Sequence, residues 1–311
     1  MTTYEVGPTR ENLHGTFSRD IPPILTIAPG DTVRFQTLDA GWGLEGHHED
    51  GSRRRVFEPR DSELDAGHAL CGPVAIDGAR PGHTLAVRID ELRTGTFGFN
   101  AAGGPNPTRV EPFGLSTDLS LLLRWSLDPE TMIATNHLGH SVAMRPFLGV
   151  MGLPPADEGH HPTAPPRETG GNLDCKELVP GTTLFLPVAV EGGLFSTGDG
   201  HAAQGDGELS GTAIECPMDL AALTFDVLDD MPIDVPHALT PDAWITFGVN
   251  EDLDQAMYQA VNAMLDLIMR FHEVDRGTAL ALASTVVDVR VTQVVNGVKG
   301  CHAVLRHGAI R

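Results

Sequence analysis

Between positions 198 and 208 the chain reads Gly-Asp-Gly-His-Ala-Ala-Gln-Gly-Asp-Gly-Glu. From Asp199 to Glu208, every residue other than Asp, Glu, His or Gln is glycine or alanine. Small neighbours let a backbone approach a ligand closely and adopt unusual dihedrals. In extended chain, side chains two apart share a face, so Asp199 would sit beside His201, and Gln204 beside Asp206 and Glu208. Imidazole and carboxylate groups on one face suit Zn²⁺ or a similar divalent ion. A plainer reading also fits this spacing: a series of Gly-Asp turns with solvated acids. A second glycine-rich segment, 170–178, adds Asn172, Asp174, Cys175, Lys176 and Glu177.

Residues this polar need a scaffold, and the sequence predicts one made mainly of strands. Glycine (35) and proline (23) are scattered singly and in short turn signals, a pattern of many short strands joined by tight turns. One phrase occurs three times: Ala28-Pro29-Gly30-Asp31, Arg80-Pro81-Gly82-His83 and Val179-Pro180-Gly181-Thr182. Proline presets φ at the second turn position and glycine accepts positive φ at the third, which specifies a type II turn. Alternating β-formers follow each copy. Further strands are expected at 24–27, 74–76, 144–151, 212–216, 223–228, 244–249 and 286–295, the last ending at an Asn296-Gly297 turn. The stretches 101–117 and 154–171 read as loops, and the second would be a wall or lid of the site or a plain surface connection.

The C-terminal part carries a clear helix. Leu253, Ala256, Met257, Ala260, Val261, Met264, Leu267, Ile268 and Phe271 recur at helical spacing, with Asn250 as the expected cap and Glu251 and Asp252 at the positive dipole end. A second helix is expected over 276–284. The predicted architecture is a mainly β body of sandwich or barrel type over 1–220, carrying the site motifs, with a small α/β part over 221–311 interwoven with it.

Composition narrows the partners. The 311 residues carry 21 basic and 42 acidic side chains, a net charge of −21, which would repel a nucleic-acid backbone or an anionic membrane. No apolar run approaches the ~18 residues that span a bilayer, and the first residues show neither the basic nor the apolar region of a signal peptide. Cys71, Cys175, Cys216 and Cys301 are widely spaced and read as reduced thiols. A cytoplasmic protein is expected.

Five blocks of the sequence, GHALCGPVAIDGARPGHTL, RPFLGVMGLPP, GGNLDCKEL, LFSTGDGHAAQGDGEL and QVVNGVKGCHAVL, closely resemble the acetamidase/formamidase family, in the family's order and over most of the chain. The GDGHAAQGDGE block is highly specific. The resemblance implies a mostly β hydrolase that cleaves small linear amides such as formamide and acetamide to the acid and ammonia. It also implies a divalent metal, zinc being the expected one, relatives that open small lactams, and a homo-oligomer. The matching polar positions are His68, Asn172, Asp174, Glu177, Asp199, His201, Gln204, Asp206 and Glu208.

Roles follow from what amide hydrolysis needs. Water is a poor nucleophile, the carbonyl is resonance-stabilised, and the amine must leave protonated. His68, Asp174, Asp199 and His201 are therefore expected near the metal, Glu208 as proton carrier with Asp206 in the catalytic set, and Asn172 and Gln204 on the substrate. Lys176 reads as a surface or salt-bridge residue. The pairs His47-His48 and His160-His161, as immediate neighbours in loops, are poorly placed to share a ligand. Two rivals remain at this point. Cys175-Lys176-Glu177 has the residue types of a nitrilase-like triad, but consecutive residues in a strand cannot all converge. A non-catalytic metal or small-ligand binding β protein would keep the ligands without needing a proton carrier.

Overall fold

The computed structural model describes all 311 residues, the side chains of residues 108 and 109 excepted. Two large sheets account for most of it. The first has nine strands in the order Thr3–Val6, Thr32–Thr37, Met218–Leu228, Thr84–Thr94, Thr183–Pro187, His237–Leu239, Ala243–Asn250, Lys299–Arg306 and Val287–Gln293. All neighbours in it are antiparallel except the first pair. The three Pro-Gly phrases launch three of these strands. Gly30, Gly82 and Gly181 have φ of 86°, 91° and 91°, and each turn closes with a bond from the fourth residue's N–H to the first carbonyl. These are the type II turns that the sequence predicts.

The second sheet has eleven strands and centres on Phe195–His201. That strand is flanked by Phe147–Gly152 on one side and by Glu215–Cys216 and Leu70–Ile76 on the other. The inner faces of the two sheets share one core. Phe195 of the second sheet contacts Phe35 and Phe225 of the first at ring-centroid distances of 6.4 and 5.0 Å, and all three are fully buried. Both faces of Phe195–His201 are covered, since every residue in it is buried, so polar groups on it must be satisfied within the protein.

The C-terminal helix Leu253–His272 lies on Ala243–Asn250 and Lys299–Arg306 and buries Ala256, Ala260, Met264, Leu265, Leu267 and Ile268. Gly248 permits this close seat, since a Cβ there would overlap the Ala256 carbonyl oxygen. Its cap is Asp252, which accepts the Gln255 N–H at 3.0 Å, and not Asn250 as the sequence suggested. Asn250 closes the preceding strand and holds the Asp252 N–H at 2.9 Å. The second helix runs Arg276–Val286, capped by Asp275. Position 220 falls inside the strand Met218–Leu228, and four strands from beyond it continue the first sheet. The stretch 101–117 is less of a loop than its turn signals suggest, because its start belongs to the strand Phe97–Gly103. Conversely, only Glu215–Cys216 of the expected strand 212–216 is extended in a ladder.

Candidate metal centre and active site

His201 ends the central strand. Directly opposite it on the flanking strands stand Phe147 and Glu215, and cross-strand neighbours at such positions touch. The Phe147 ring meets the imidazole edge-on at 5.0 Å. Glu215 Oε2 lies 3.2 Å from His201 Nε2, Asp199 Oδ1 lies 3.4 Å from the same nitrogen, and Asp174 Oδ1 lies 4.0 Å from Nδ1. Asp174 enters from the segment after Gly170–Asn172, tied down by its own N–H to the Gly149 carbonyl at 3.2 Å. Glu208 comes from the loop beyond the strand. The side chains fall into two overlapping groups, Asp174/Asp199/His201 and His201/Glu208/Glu215, with ligand atoms in each group all within 4.8 Å of one another. All five residues are buried.

The backbone is bent to serve them. Asp174, Asp199 and Glu208 have φ of 49°, 59° and 48°, in the left-handed region that L-residues seldom occupy. Three such residues converging on one imidazole mark strain concentrated at a site. Space is made for the cluster by Gly149, where a Cβ would press on Asp199, Asp174 and His201 together.

Four carboxyls around one imidazole cannot all ionise cheaply in a buried setting. Burial, reinforced by the charges of Glu208, Asp199 and Glu215, holds the Asp174 carboxyl well above the usual range. Burial, with the neighbouring carboxylates, pushes Glu208 and Glu215 up to about 7 each. Burial opposes ionisation of Asp199 as well, but the positive charge of His201 prevails and holds it below the ordinary value. His201 would be kept neutral by burial alone, and Glu215 and Asp199 instead raise it well above the ordinary value. A divalent cation resolves this frustration. The fit is borne out by the atoms left without partners: Asp174 Oδ1, His201 Nδ1, Glu208 Oε2 and Glu215 Oε2 are all buried and make no hydrogen bond among the described residues. Buried lone pairs of this kind are costly unless something binds them.

The cluster opens on a cavity of about 260 Å³, with His68, Asn172, Asp199, Glu208, Glu215 and Asn296 among its walls. Asn172 donates to the Ala164 carbonyl at 3.0 Å while its Oδ1 stays unpartnered. Gln204 donates to the Asp174 main-chain carbonyl at 2.8 Å. His68 lines the cavity but belongs to neither group of ligand atoms. Asp206 is outside the cluster: it is exposed and pairs with Lys176 Nζ at 3.0 Å. Glu177 is also outside, bridging Arg145 and Arg290 at 2.8 Å each. Burial pushes the Cys175 thiol up to about 12, so it is neither a thiolate nor accessible as a nucleophile. His48 is bound to Glu45 and Ser52 at the surface, and His47 packs edge-on to Phe99.

Two residues of the centre escape the sequence reading. Glu215 is the lone acid in an apolar stretch, Thr212 to Cys216, and a buried carboxyl there needs a partner; that was the available signal. Asn296 looked like half of an Asn-Gly turn. The strand instead ends at Gln293, and the longer connection carries Asn296 Nδ2 to Asp174 Oδ2 at 2.8 Å.

The fold and centre define a two-sheet β protein with a buried acid-imidazole cation site facing a small cavity. Comparison with known proteins places it further. The sequence matches the acetamidase/formamidase family over residues 3–159 and 156–305, and the chain belongs to that family. It is 27% identical over 327 residues to an acetamidase of Mycolicibacterium smegmatis, covering 83% of this chain and 78% of that one. A formamidase of Methylophilus methylotrophus is 29% identical over 250 residues, 64% of this chain, and the match spans 60% of that relative's length. The crystal structure of an acetamidase from Bacillus halodurans superposes with a TM-score of 0.83 at 28% identity, covering 97% of each chain. A gamma lactamase from Delftia acidovorans shares the fold at a TM-score of 0.62 and 22% identity, covering 98% of this chain and 92% of that one.

Proposed function

We propose that the protein hydrolyses the C–N bond of small linear amides such as formamide and acetamide, giving the carboxylate and ammonia. The observation that carries this reading is the buried cluster of unpartnered carboxyl and imidazole atoms at the mouth of a small cavity, in a chain of this family. Asp174, Asp199 and His201, completed by Glu215, would hold a divalent ion, and the mixed oxygen and nitrogen donors favour zinc. Such an ion supplies Lewis acidity, polarising a carbonyl and easing the deprotonation of water.

The rest falls to the chain's own groups. Glu208 has an unpartnered Oε2 and burial that brings its affinity for a proton near neutrality. It suits a carboxylate that takes a proton from water and returns it to the leaving nitrogen. Asn172 Oδ1, buried and without a donor, would accept an amide N–H and set which way the substrate lies. Gln204 steadies the Asp174 segment through the main chain. Asp206, paired with Lys176 at the surface, has no part in this scheme. Four free and buried cysteines support a reducing, cytoplasmic setting. Exposed apolar side chains along one arm of the second sheet, Leu121, Leu138 and Val142, support association into a homo-oligomer. No helix among the described residues is long and apolar enough to cross a membrane.

The test is ammonia release from a panel of formamide, acetamide, longer amides and small lactams, with bound metal measured on the same samples. Glu208→Gln should lose about 10²-fold or more in kcat while retaining its metal. Undiminished turnover in that variant removes Glu208 from the mechanism. Silence of the wild type on every amide and lactam leaves a metal-binding β protein. Turnover confined to lactams moves the substrate to the class named for the Delftia relative.

A further inference from the structure

Thr163 is fully buried, in the segment just after the short strand His161–Pro162. Its hydroxyl oxygen lies 2.9 Å from the His68 main-chain nitrogen and 2.8 Å from His68 Nδ1. The main-chain N–H can only donate, so one lone pair of Oγ1 is taken by it. The hydroxyl proton then needs an acceptor. Among the described residues Oγ1 has no partner other than these two nitrogens. A buried hydroxyl with a single available acceptor directs its proton there, and that acceptor is Nδ1. With Nδ1 accepting, the neutral ring carries its proton on Nε2. Gly67 makes this close arrangement possible, since a Cβ there would collide with the Thr163 hydroxyl.

The consequence shows in the cavity's supply of donors. The walls are rich in acceptors: Asp199, Glu208 and Glu215, with Asn172 Oδ1 in addition. Side-chain donors there are already engaged. The amide nitrogen of Asn172 holds the Ala164 carbonyl, that of Asn296 holds Asp174, and the Thr212 hydroxyl holds the Ala101 carbonyl. His68 Nε2 is the cavity-lining side-chain nitrogen with no hydrogen bond among the described residues. An amide presents donors on its nitrogen and needs a donor at its carbonyl oxygen, where negative charge grows during hydrolysis.

We propose that Thr163 is a positioning residue which fixes His68 as the Nε2–H tautomer, so that His68 donates a hydrogen bond to the substrate carbonyl oxygen and does not ligate a metal. This rests on the amidase reading given above for its substrate, while the tautomer itself does not. A ring whose Nδ1 is filled by the Thr163 proton, and whose Nε2 is protonated, has no lone pair to offer a cation.

The experiment combines a spectrum with kinetics on the full-length, metal-loaded protein. Nitrogen-15 imidazole spectra of the wild type should show Nδ1 of His68 unprotonated and Nε2 protonated, with His68→Gln supplying the assignment. The metal content of His68→Ala should equal that of the wild type, while its kcat on acetamide falls about 10²-fold, as when an oxyanion donor is removed. Thr163→Val, which keeps the shape and deletes the hydroxyl, should lower kcat roughly tenfold with KM little changed, and Thr163→Ser should restore it. A protonated Nδ1 in the wild type, or metal lost in step with His68, overturns the proposal. So does a Thr163→Ser variant as slow as Thr163→Val, which would mark a purely packing role. If no amide is turned over at all, the functional reading fails, and the spectrum and metal content still decide the tautomer.

Discussion

Gly149→Ala offers the sharpest test of the cation centre, because it adds one methyl and nothing else. Gly149 sits on Phe147–Gly152 and its φ is outside the left-handed region, so alanine meets no backbone penalty there. The new Cβ would overlap Asp199 Oδ2 outright and stand 2.8 Å from Asp174 Oδ1 and 2.9 Å from His201 Cε1. Carbon contacts closer than about 3.5 Å are repulsive, so these groups must each retreat by roughly 0.6–0.7 Å or more. Metal sites tolerate about ±0.2 Å in their ligand distances. The displacement therefore exceeds the tolerance about threefold at three ligands together. Overpacking of this size costs about 1–3 kcal/mol of stability, and metal affinity should fall at least as much as it does on losing an outer-shell partner, about 10–100-fold. A chelator competition titration measures the affinity, and thermal melts with and without metal measure the stability. Gly205→Ala is the control, since nothing lies within 4 Å of a Cβ there. Wild-type affinity in Gly149→Ala would refute the assignment of Asp174, Asp199 and His201 as one ligand set.

Other outcomes follow from the same centre and its surroundings. Glu215→Gln keeps the hydrogen bond from the Ala213 N–H but removes a charge facing His201, and metal affinity should drop by about tenfold or more by the same titration. In metal-free protein Glu208 and Glu215 are held up to about 7, above their ordinary 4.5. A raised folded value means stability present below about pH 4.5 and lost as pH rises through about 7. Chelated protein should therefore lose more of its melting temperature between pH 5.5 and 8 than metal-loaded protein, and equal losses would count against a cation in this cluster. His14 is buried between the Thr16 carbonyl and the Ser196 hydroxyl, and burial pulls it down to about 4 from 6.5. Its neutral form is favoured in the fold, so its contribution is intact above about pH 6.5 and is lost as pH falls through about 4. That is worth at most about 3 kcal/mol, and denaturant titrations should show a shallower acid loss in His14→Gln.

The sequence exposes the parts of this architecture that local rules govern. The three Pro-Gly turns are legible because ring geometry and positive φ act over four residues. The long C-terminal helix is legible because its apolar stripe repeats at helical spacing. The pairing of Asp199 with His201 follows from strand alternation, since both lie in Phe195–His201. Alternation misleads for Asp206, because the strand ends at His201 and the chain turns away into a loop. Glu215 and Asn296 reach the centre only through sheet order and loop path. Neither is encoded within a few residues of itself. The 154–171 segment contributes to the site through Thr163 and Ala164, which hold His68 and Asn172; nothing in its composition singles out those two positions.

The hydrogen bond from Asn296 to Asp174 has a consequence for how the protein comes into being. It joins residues 122 apart in sequence, and the loop that carries Asn296 is set by the two last strands of the chain. Closing so long a loop costs entropy before any contact repays it, so such pairings form late. The four carboxyls of the centre, by contrast, all lie within residues 174–215, on the second sheet and its loops. What the C-terminal strands add is the fixing of two of them: Asn296 holds Asp174, and Gly207, beside Glu208, bonds to Thr292 and Val294. The end of the chain therefore finishes a centre whose ligand atoms come from its middle, and opening of the last two strands would release Asp174 and Glu208 before it disturbs His201.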